Sequence, residues 1–446
     1  MPATAQPATA HVQLGRDLIV TSRGYPPQMR GDGDRHWLGR AFAGVALAVV
    51  CVGLVGCEPA NLAIDPAYGG DGIADIPEQS GYIYPHDFEV AGNGSIVTVV
   101  LGRLTRVRPN GTLDPNFGAN SPDVGVVTAA AVDASGRILT AGPGSTGDQV
   151  TVRRFTAQGN PDPSFDGDGT GTIALAGFES STVDVQSDHA GRTIVFFKNT
   201  PQPGPQSTCD VLRLLPDGAV DPGFGGGLPV ALALPYSVST GAQCNEVLVL
   251  EDDSLLAVDT VAGIARLSAT GAQLPYGSGP AAFLDRSYDG IVDAALLPGG
   301  RIALGASTYD SGNFRAMVAE LTVAGELDPG FGTGGVDTVG FVDLSEAPNN
   351  LEYSRLAWLS ATPGGSLIAV TGSSTGAGVA RWVDGHLDQR FASGGRLLVD
   401  DPLPYPRELS HPFTAGVASN GTLYVISNRQ GALEPFTLVH LAAPPP

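Results

Sequence analysis

The chain has 446 residues, of which 42% are apolar and 15% are charged, and its formal net charge is −21. The apolar content is ample for a packed core, so this composition excludes a disordered chain and a coiled coil. The acidic residues are spread along the whole chain and would repel phosphate backbones, which disfavours nucleic acid as a partner.

The amino-terminal part of the chain has the layout of an export signal. Residues 1–28 fit no such layout, whereas a start at Met29 gives a signal of normal length, so we expect that residues 1–28 precede the true start. From Arg35 to Cys57 two arginines precede a run of small and apolar residues that ends in Leu-Val-Gly-Cys. Residues 29–57 therefore resemble a bacterial lipoprotein signal peptide.

The lipoprotein resemblance makes Cys57 the first residue of the mature protein. It implies cleavage before Cys57, a lipid on its sulfur, and an exported protein anchored to a membrane of the bacterial cell envelope. Residues 58–64 would then be a tether. Two alternatives are a transmembrane anchor, for which the apolar stretch 41–56 is shorter than the roughly 20 residues needed, and an ordinary cleaved signal.

Residues 65–446 contain three short patterns, each of which occurs seven times. The first is Asp-Pro-x-aromatic-Gly, with copies 48 to 60 residues apart that read DPAYG, DPNFG, DPSFD, DPGFG, LPYG, DPGFG and DQRFA. The second is a turn before an apolar run, as in SGRILTAG and GGRIALGA, and the third is an apolar strand before another turn, as in VRRFTAQG. Repetition with this period predicts a closed array of small sheets.

Each repeat is interpreted as four short strands, which predicts an all-β, seven-bladed β-propeller. The runs of four to seven apolar or alternating residues suit half-buried strands, and Asp-Gly, Asn-Gly and Gly-Gly suit hairpin turns. A lone strand near Gly72 opens the repeat region and the strand FTLVHL ends it. We expect the first to complete the last blade, because this pairing leaves no open sheet edge.

The repeats resemble the delta-60 repeat of bacterial surface proteins, and the resemblance runs from about Asp65 to Leu441. It depends on the three patterns together, and the copies at Leu274 and Asp388 depart from it. The resemblance implies a propeller on an exported protein, and it supplies no catalytic residues.

The repeated turns are interpreted as structural. The Asp166–Gly169 turn has the acidic residues of a calcium loop but lacks its ligand count, so turn chemistry explains it. We expect the aromatic residue of each unit to fill a gap between blades; these residues are Tyr68, Phe117, Phe165, Phe224, Phe331 and Phe391. The loops at the opposite ends of the strands vary in length and content, and we expect binding there, on what we call the variable face.

Two cysteines remain after signal removal and lipidation. Cys209 and Cys244 are predicted to lie in loops of neighbouring blades on the variable face. An exported pair is expected to form a disulfide, and two separate buried thiols are the alternative.

Four acidic residues occupy equivalent positions at the start of the innermost strand of their units. They are Asp87, Asp184, Glu246 and Asp293, and His86 and His411 lie beside the same position in the first and last units. Carboxylates that converge on one axis suit a weakly held divalent cation or a cationic ligand. The alternative is that they are solvated acids at strand ends of an acidic protein.

No pattern in the sequence is typical of a catalytic site. His-Glu-x-x-His is absent, and the glycine-serine combinations that resemble the nucleophile motif Gly-x-Ser-x-Gly are interpreted as chance occurrences. We therefore expect a non-catalytic binding or scaffold protein without a dedicated cofactor, whose partner on the variable face is a protein or a glycan. The alternatives are an exported hydrolase or dehydrogenase with a site at the channel mouth, and a purely structural envelope component.

Overall fold

The structure is a computed structural model, and it is built almost entirely from short antiparallel strands. It describes residues 10–12 and residues 63–442, with gaps at 66, 71–72, 77–87, 92, 101, 119–122, 147, 176–177, 202–206, 235–240, 311, 342–353, 363, 373–375, 401–413, 419–420 and 428–435. Within these ranges a single short helix, α1 (Gly279–Leu284), interrupts the strands.

The strands form sheets that follow one another along the chain, and we number the sheets in that order. Three short strands come first and join later sheets: β1 (Ala10–Val12), β2 (Ala63–Ile64) and β3 (Ile73–Ile76). Sheet 1 has β4 (Phe88–Val90), β5 (Ile96–Val100) and β6 (Arg103–Val107). Sheet 2 has β7 (Ala129–Val132), β8 (Ile138–Pro143), β9 (Gln149–Phe155) and β10 (Thr170–Ala174).

The middle sheets have four strands each. Sheet 3 has β11 (Phe178–Ser187), β12 (Thr193–Pro201), β13 (Thr208–Leu214) and β14 (Val230–Ala231). Sheet 4 has β15 (Cys244–Val249), β16 (Leu255–Asp259), β17 (Gly263–Leu267) and β18 (Gln273–Leu274). Sheet 5 has β19 (Asp293–Leu296), β20 (Ile302–Asp310), β21 (Asn313–Leu321) and β22 (Val336–Val339).

The last two sheets recruit the early strands. Sheet 6 has β23 (Arg355–Ala361), β24 (Leu367–Gly372), β25 (Gly376–Val383), β26 (His386–Leu387) and β27 (Arg396–Asp400), and β1 pairs parallel to β27. Sheet 7 has β28 (Thr414–Val417), β29 (Leu423–Ser427) and β30 (Phe436–Ala442), joined by β2 and β3.

The first strand of each sheet lies at the centre of the molecule. These inner strands are β4, β7, β11, β15, β19, β23 and β28, and each contacts the next around a closed ring. The hydrophobic core lies between neighbouring sheets, as where Val152 and Phe165 of one repeat pack with Val195 and Leu212 of the next. The arrangement is that of a β-propeller.

The prediction of seven four-stranded blades is wrong. Six of the sheets have four strands or more and are complete blades, whereas sheet 1 has three strands within the described residues. Where its fourth strand was expected, Asp123 Oδ1 accepts the Gly125 N–H at 2.8 Å and Gly125 has φ 67°. The Val124 N–H donates to the Gly102 carbonyl at 2.7 Å. The described residues of this segment, 123–125, therefore form a local turn beside β6.

The strand near the start of the repeat region closes the ring. β3 runs antiparallel to β30, with Ile73 opposite Val439 and Ile76 opposite Phe436. The outer edge of β30 is therefore covered by chain from the other end of the repeat region, in the position expected from the sequence.

The repeated residues build the contact between one repeat and the next. Arg154 Nε donates to Asp162 at 2.8 Å, and its guanidinium carbon lies 4.9 Å from the centre of the Phe165 ring. Nη1 of the same arginine donates to the Pro216 carbonyl of the following repeat at 2.6 Å. Arg213, with Asp221 and Phe224, makes the same three interactions. The third pattern and the Asp-Pro pattern are thus two halves of one inter-repeat contact.

The aromatic residues of the Asp-Pro pattern fill the gaps between repeats, as predicted. Phe165 and Phe224 are fully buried. A Cβ atom added to Gly159, a turn residue of the next repeat, would lie 3.2 Å from the Phe117 ring. The turn therefore needs glycine both for this close approach and for its φ of 79°.

The Asp-rich turn has the role expected of turn chemistry. Asp166 has φ 49°, and Oδ1 of Asp168 accepts the Thr170 N–H at 2.8 Å.

In the part of the chain that the structure describes, no helix is long and apolar enough to span a membrane.

Candidate functional site

The candidate site is a cluster of acidic side chains on the inner strands. Asp293 begins β19, as expected, whereas Asp184 is the seventh residue of the ten-residue strand β11. Asp184, Glu246 and Asp293 lie on β11, β15 and β19, opposite Phe196, Val258 and Gly305 of the second strands. The strand register is irregular immediately before Asp184 and before Glu246, which is typical of a bulge that redirects a side chain.

Each of these carboxylates reaches the inner strand of the following sheet. Asp184 Oδ2 accepts the Val247 N–H at 2.8 Å, and Glu246 Oε1 accepts the Ala294 N–H at 2.6 Å.

Asp293 continues the series, because its Oδ2 accepts the Leu359 N–H at 2.6 Å. The three acids therefore join sheets 3, 4, 5 and 6 at the centre of the propeller. This is a structural role, and it also brings the carboxylates toward one another.

Burial and mutual repulsion hold protons on these groups. Burial raises the pKa of Asp184 to about 6, although hydrogen bonds from Val247 and Val185 oppose the shift. Burial also raises the pKa of Asp293 to about 7, and the Asp184 charge adds to the effect. Burial and the charges of Asp293 and Asp184 hold the pKa of Glu246 well above its usual range, and Glu246 and Asp293 share a hydrogen bond.

Glu89 of β4 belongs to the same cluster, and the sequence analysis missed it. Burial raises its pKa to about 8, with a further contribution from the Asp184 charge. Glu89 lies two residues after Asp87, and alternate residues of a strand share a face. The signal was thus present in the sequence, two residues beyond the position that the acids of the other repeats share.

Several predicted site residues lie outside the described residues. Asp87, His86 and His411 are among them, as is Cys57. Three other equivalent positions carry no acid, namely Ala129, Trp358 and Thr414. Among the described residues the acidic cluster therefore occupies part of the ring.

The spacing of the carboxylates limits the ligands that they can hold. Among the described residues, Cys209, Cys244 and Asp259 are the only three possible metal-ligand side chains whose ligand atoms all lie within 4.8 Å of one another. Taken three at a time, the carboxylate oxygens of the acidic cluster lie farther apart than the atoms that directly coordinate a single metal ion. A cation that keeps part of its water shell, or an ammonium or guanidinium group, suits this spacing better.

Cys209 and Cys244 are joined by a disulfide with Cα atoms 5.6 Å apart. Cys209 lies on β13 and Cys244 begins β15, so the bond links sheets 3 and 4. Buried Asp259 lies beside it, and its Oδ2 accepts the Gln243 N–H at 2.8 Å. The sulfurs are bonded to each other, so we do not assign a metal to this group.

The comparisons with known proteins agree with the propeller architecture. A family described as "Domain of unknown function (DUF5122) beta-propeller" matches residues 134–165. These residues run from the first turn of sheet 2 to Phe165, and they include Arg154 and Asp162 of the inter-repeat contact. No curated protein matches the chain.

Solved structures show distant similarity. Virginiamycin B lyase from Staphylococcus aureus is 12% identical, with 82% of this chain and 98% of that chain covered and a TM-score of 0.47. The extracellular domain of a putative hybrid two component system from B. thetaiotaomicron is 8% identical, with 82% and 39% covered and a TM-score of 0.42. Aldose sugar dehydrogenase from Streptomyces coelicolor is 11% identical, with 86% and 100% covered and a TM-score of 0.38. These similarities carry no argument about activity.

Proposed function

We propose that this protein is an exported, lipid-anchored propeller of the delta-60 type that acts as a non-catalytic binding protein of the cell envelope. We further propose that its ligand carries a positive charge and binds at the acidic cluster. The single observation that carries the binding site is the convergence of Glu89, Asp184, Glu246 and Asp293 on the inner strands of the propeller.

The electrostatics of the cluster support a cationic ligand. Burial raises the pKa values of the four carboxyl groups, and the charges of neighbouring acids raise those of Glu89, Glu246 and Asp293 further. A bound cation removes that repulsion and displaces protons. The net charge of −21 attracts cations over a longer range.

Calorimetry tests this proposal. Calcium and spermidine are titrated separately into the purified residues 58–446 at pH 7, in two buffers that differ in ionisation enthalpy. We expect a saturable heat for at least one cation that differs between the buffers, because bound protons are released. The double variant Glu246→Gln/Asp293→Asn should lose that heat, and Glu251→Gln, an exposed acid in a turn, should retain it. Equal heats in all three proteins would overturn the proposal.

The lipid anchor needs its own test, since Cys57 lies outside the described residues. The lipobox 54–57 supports the proposal. Cys57→Ser should abolish metabolic labelling by a fatty acid and release the protein into the soluble fraction, and Cys51→Ser should do neither. Undiminished labelling of Cys57→Ser would contradict the anchor.

A second candidate function is an exported hydrolase with its site at the same cluster. The hydrogen bond between Glu246 and Asp293 favours it, because a protonated and an ionised carboxyl side by side can act as acid and base. A panel of chromogenic ester and glycoside substrates tests this function. Turnover that Glu246→Gln abolishes would support it, and no turnover would leave the binding function alone.

A further inference from the structure

An exposed aromatic patch lies on sheet 5, beside Arg355 of sheet 6, and includes none of the residues of the acidic cluster. Tyr288 precedes β19, Tyr309 lies near the end of β20, and Phe314 lies near the start of β21. Tyr288 is 60% exposed and Tyr309 is 49% exposed. Of the large apolar side chains exposed in the described part of the chain, these two are the aromatic ones. The patch lies on the variable face, because the β20–β21 turn and the connection into β19 both lie there.

The three rings pack directly against one another. The ring centres of Tyr309 and Phe314 are 4.8 Å apart, those of Tyr288 and Phe314 are 5.2 Å apart, and those of the two tyrosines are 5.3 Å apart. An aromatic cage for a quaternary ammonium needs space between its rings, and rings in mutual contact leave none. The patch is thus an outward-facing ridge.

Charged hydrogen-bonding groups border the ridge. Arg355, the first residue of β23, donates to Asp289 at 3.1 Å, and its guanidinium carbon lies 5.3 Å from the centre of the Phe314 ring. The Asp289 Oδ1 atom is held by the Ser307 N–H at 2.7 Å. The cation-binding position on Phe314 is therefore already occupied by the protein's own arginine, while the two tyrosine rings stay exposed.

This combination suits a sugar better than a protein or an anionic polymer. A pyranose ring has an apolar C–H face that covers one aromatic ring and a rim of hydroxyls that pair with a carboxylate and a guanidinium. Two exposed tyrosines and one half-buried phenylalanine offer far less area than the roughly 1,000 Å² that a specific protein interface needs. The net charge of −21 repels polyanions.

We propose that Tyr288, Tyr309 and Phe314, bordered by Asp289 and Arg355, form a binding subsite for a neutral glycan. Two successive sugar units stack on the tyrosine rings, and their hydroxyls pair with the Asp289–Arg355 pair. The subsite uses none of the residues of the acidic cluster.

Affinity electrophoresis on native gels tests the subsite. The gels contain one of four neutral polysaccharides, namely a soluble β-1,4-glucan, a β-1,3-glucan, a mannan or a xylan, and a gel with polygalacturonate serves as the anionic comparison. We expect retardation by at least one neutral polymer and none by the anionic one. The variant Tyr288→Ala/Tyr309→Ala should weaken the apparent affinity at least tenfold, whereas Tyr288→Phe/Tyr309→Phe should retain it, because the ring faces are kept.

The matched control removes an exposed apolar side chain from the opposite face. Leu228, between β13 and β14, is 67% exposed, and Leu228→Ala should migrate as the parent does. Thermal unfolding of the double alanine variant should show one cooperative transition, which establishes that the variant is folded in the gel. Absence of retardation by all four neutral polymers, or equal retardation of the parent and the double alanine variant, would overturn the subsite.

Discussion

At the scale of single residues, the repeat motif is explained by the contact that Arg154, Asp162 and Phe165 make with the following repeat. The Arg154 side chain is only 2% exposed, so an unpaired charge on its guanidinium group would be costly there. The hydrogen bonds from Arg154 to Asp162 and to the Pro216 carbonyl, with the contact to the Phe165 ring, offset that cost. The sequence predicted the role of the aromatic residue, but the arginine could not be assigned, since its partners belong to different repeats.

Replacing the aromatic residue of this contact should destabilise the fold. Phe165→Ala removes a fully buried ring and the surface beneath Arg154, so we expect a loss of about 3–5 kcal/mol in the free energy of unfolding. Urea unfolding measures it. Val126→Ala, at a 67% exposed position, should change that free energy by less than about 0.5 kcal/mol. Similar small effects of both substitutions would contradict the inter-repeat contact.

The acidic cluster should make stability fall as the pH rises. The folded-state pKa values of Asp184 and Asp293 are raised to about 6 and about 7. Between pH 4 and pH 7 the folded protein therefore binds more protons than the unfolded chain, and the free energy of unfolding decreases with pH. We expect a loss on the order of 1 kcal/mol per pH unit between pH 5 and pH 7.

Urea unfolding at pH 5, 6, 7 and 8 checks this dependence. In the variant Glu246→Gln/Asp293→Asn the free energy of unfolding should depend less on pH. In Glu251→Gln it should depend on pH as it does in the parent. The paired acids Asp162 and Asp221 have lowered pKa values and titrate below this window. Stability that rises from pH 5 to pH 8 would contradict the assignment of buried, proton-holding carboxyl groups.

At the scale of strands and turns, local sequence predicted most of what forms. The hairpins appear where Asp-Gly, Asn-Gly and Gly-Gly occur, since these residues accept the required φ. Local sequence could not predict whether sheet 1 has a fourth strand. Whether the chain around Asp123 extends or turns depends on competition between the Asp123 side chain and the edge of β6. In sheet 4 the last strand is the two-residue β18, and α1 follows it.

The bond between Cys209 and Cys244 should stabilise sheets 3 and 4 against unfolding. It closes a loop with a sequence separation of 35 residues, for which chain entropy gives roughly 3–4 kcal/mol. Cys209→Ser/Cys244→Ser should lower the free energy of unfolding by about that amount. Thiol titration of the unfolded, unreduced parent should find neither of these two cysteines reactive. Two reactive thiols per chain from this pair would contradict the bond.

At the scale of the whole molecule, the ring depends on a strand from the start of the repeat region. The phase of the repeats predicted that the strand near Gly72 would join the last sheet, and β3 pairs with β30 in that sheet. The repeat count also predicted a seven-bladed propeller, and there it was wrong, because six sheets form complete blades and sheet 1 has three strands within the described residues. The side chains of the acidic cluster come from sheets 1, 3, 4 and 5, and the ring alone brings them together.

Removing the closing strand should open the ring. A chain that starts at residue 77 lacks β2 and β3 and leaves the edge of β30 unpaired. We expect a lower unfolding temperature and self-association, because an unpaired edge strand recruits other strands. A chain that starts at residue 58 is the control. Light scattering and thermal unfolding compare the two, and identical profiles would show that closure contributes nothing.

The central claim is that the acidic cluster of this propeller is a binding site for a cation. Anomalous diffraction from crystals grown with a calcium-mimicking lanthanide tests it most directly. We expect an anomalous peak among the carboxylates of Glu89, Asp184, Glu246 and Asp293 that is absent from crystals of Glu246→Gln/Asp293→Asn. Anomalous peaks confined to exposed acids elsewhere, with none at the inner strands, would contradict it.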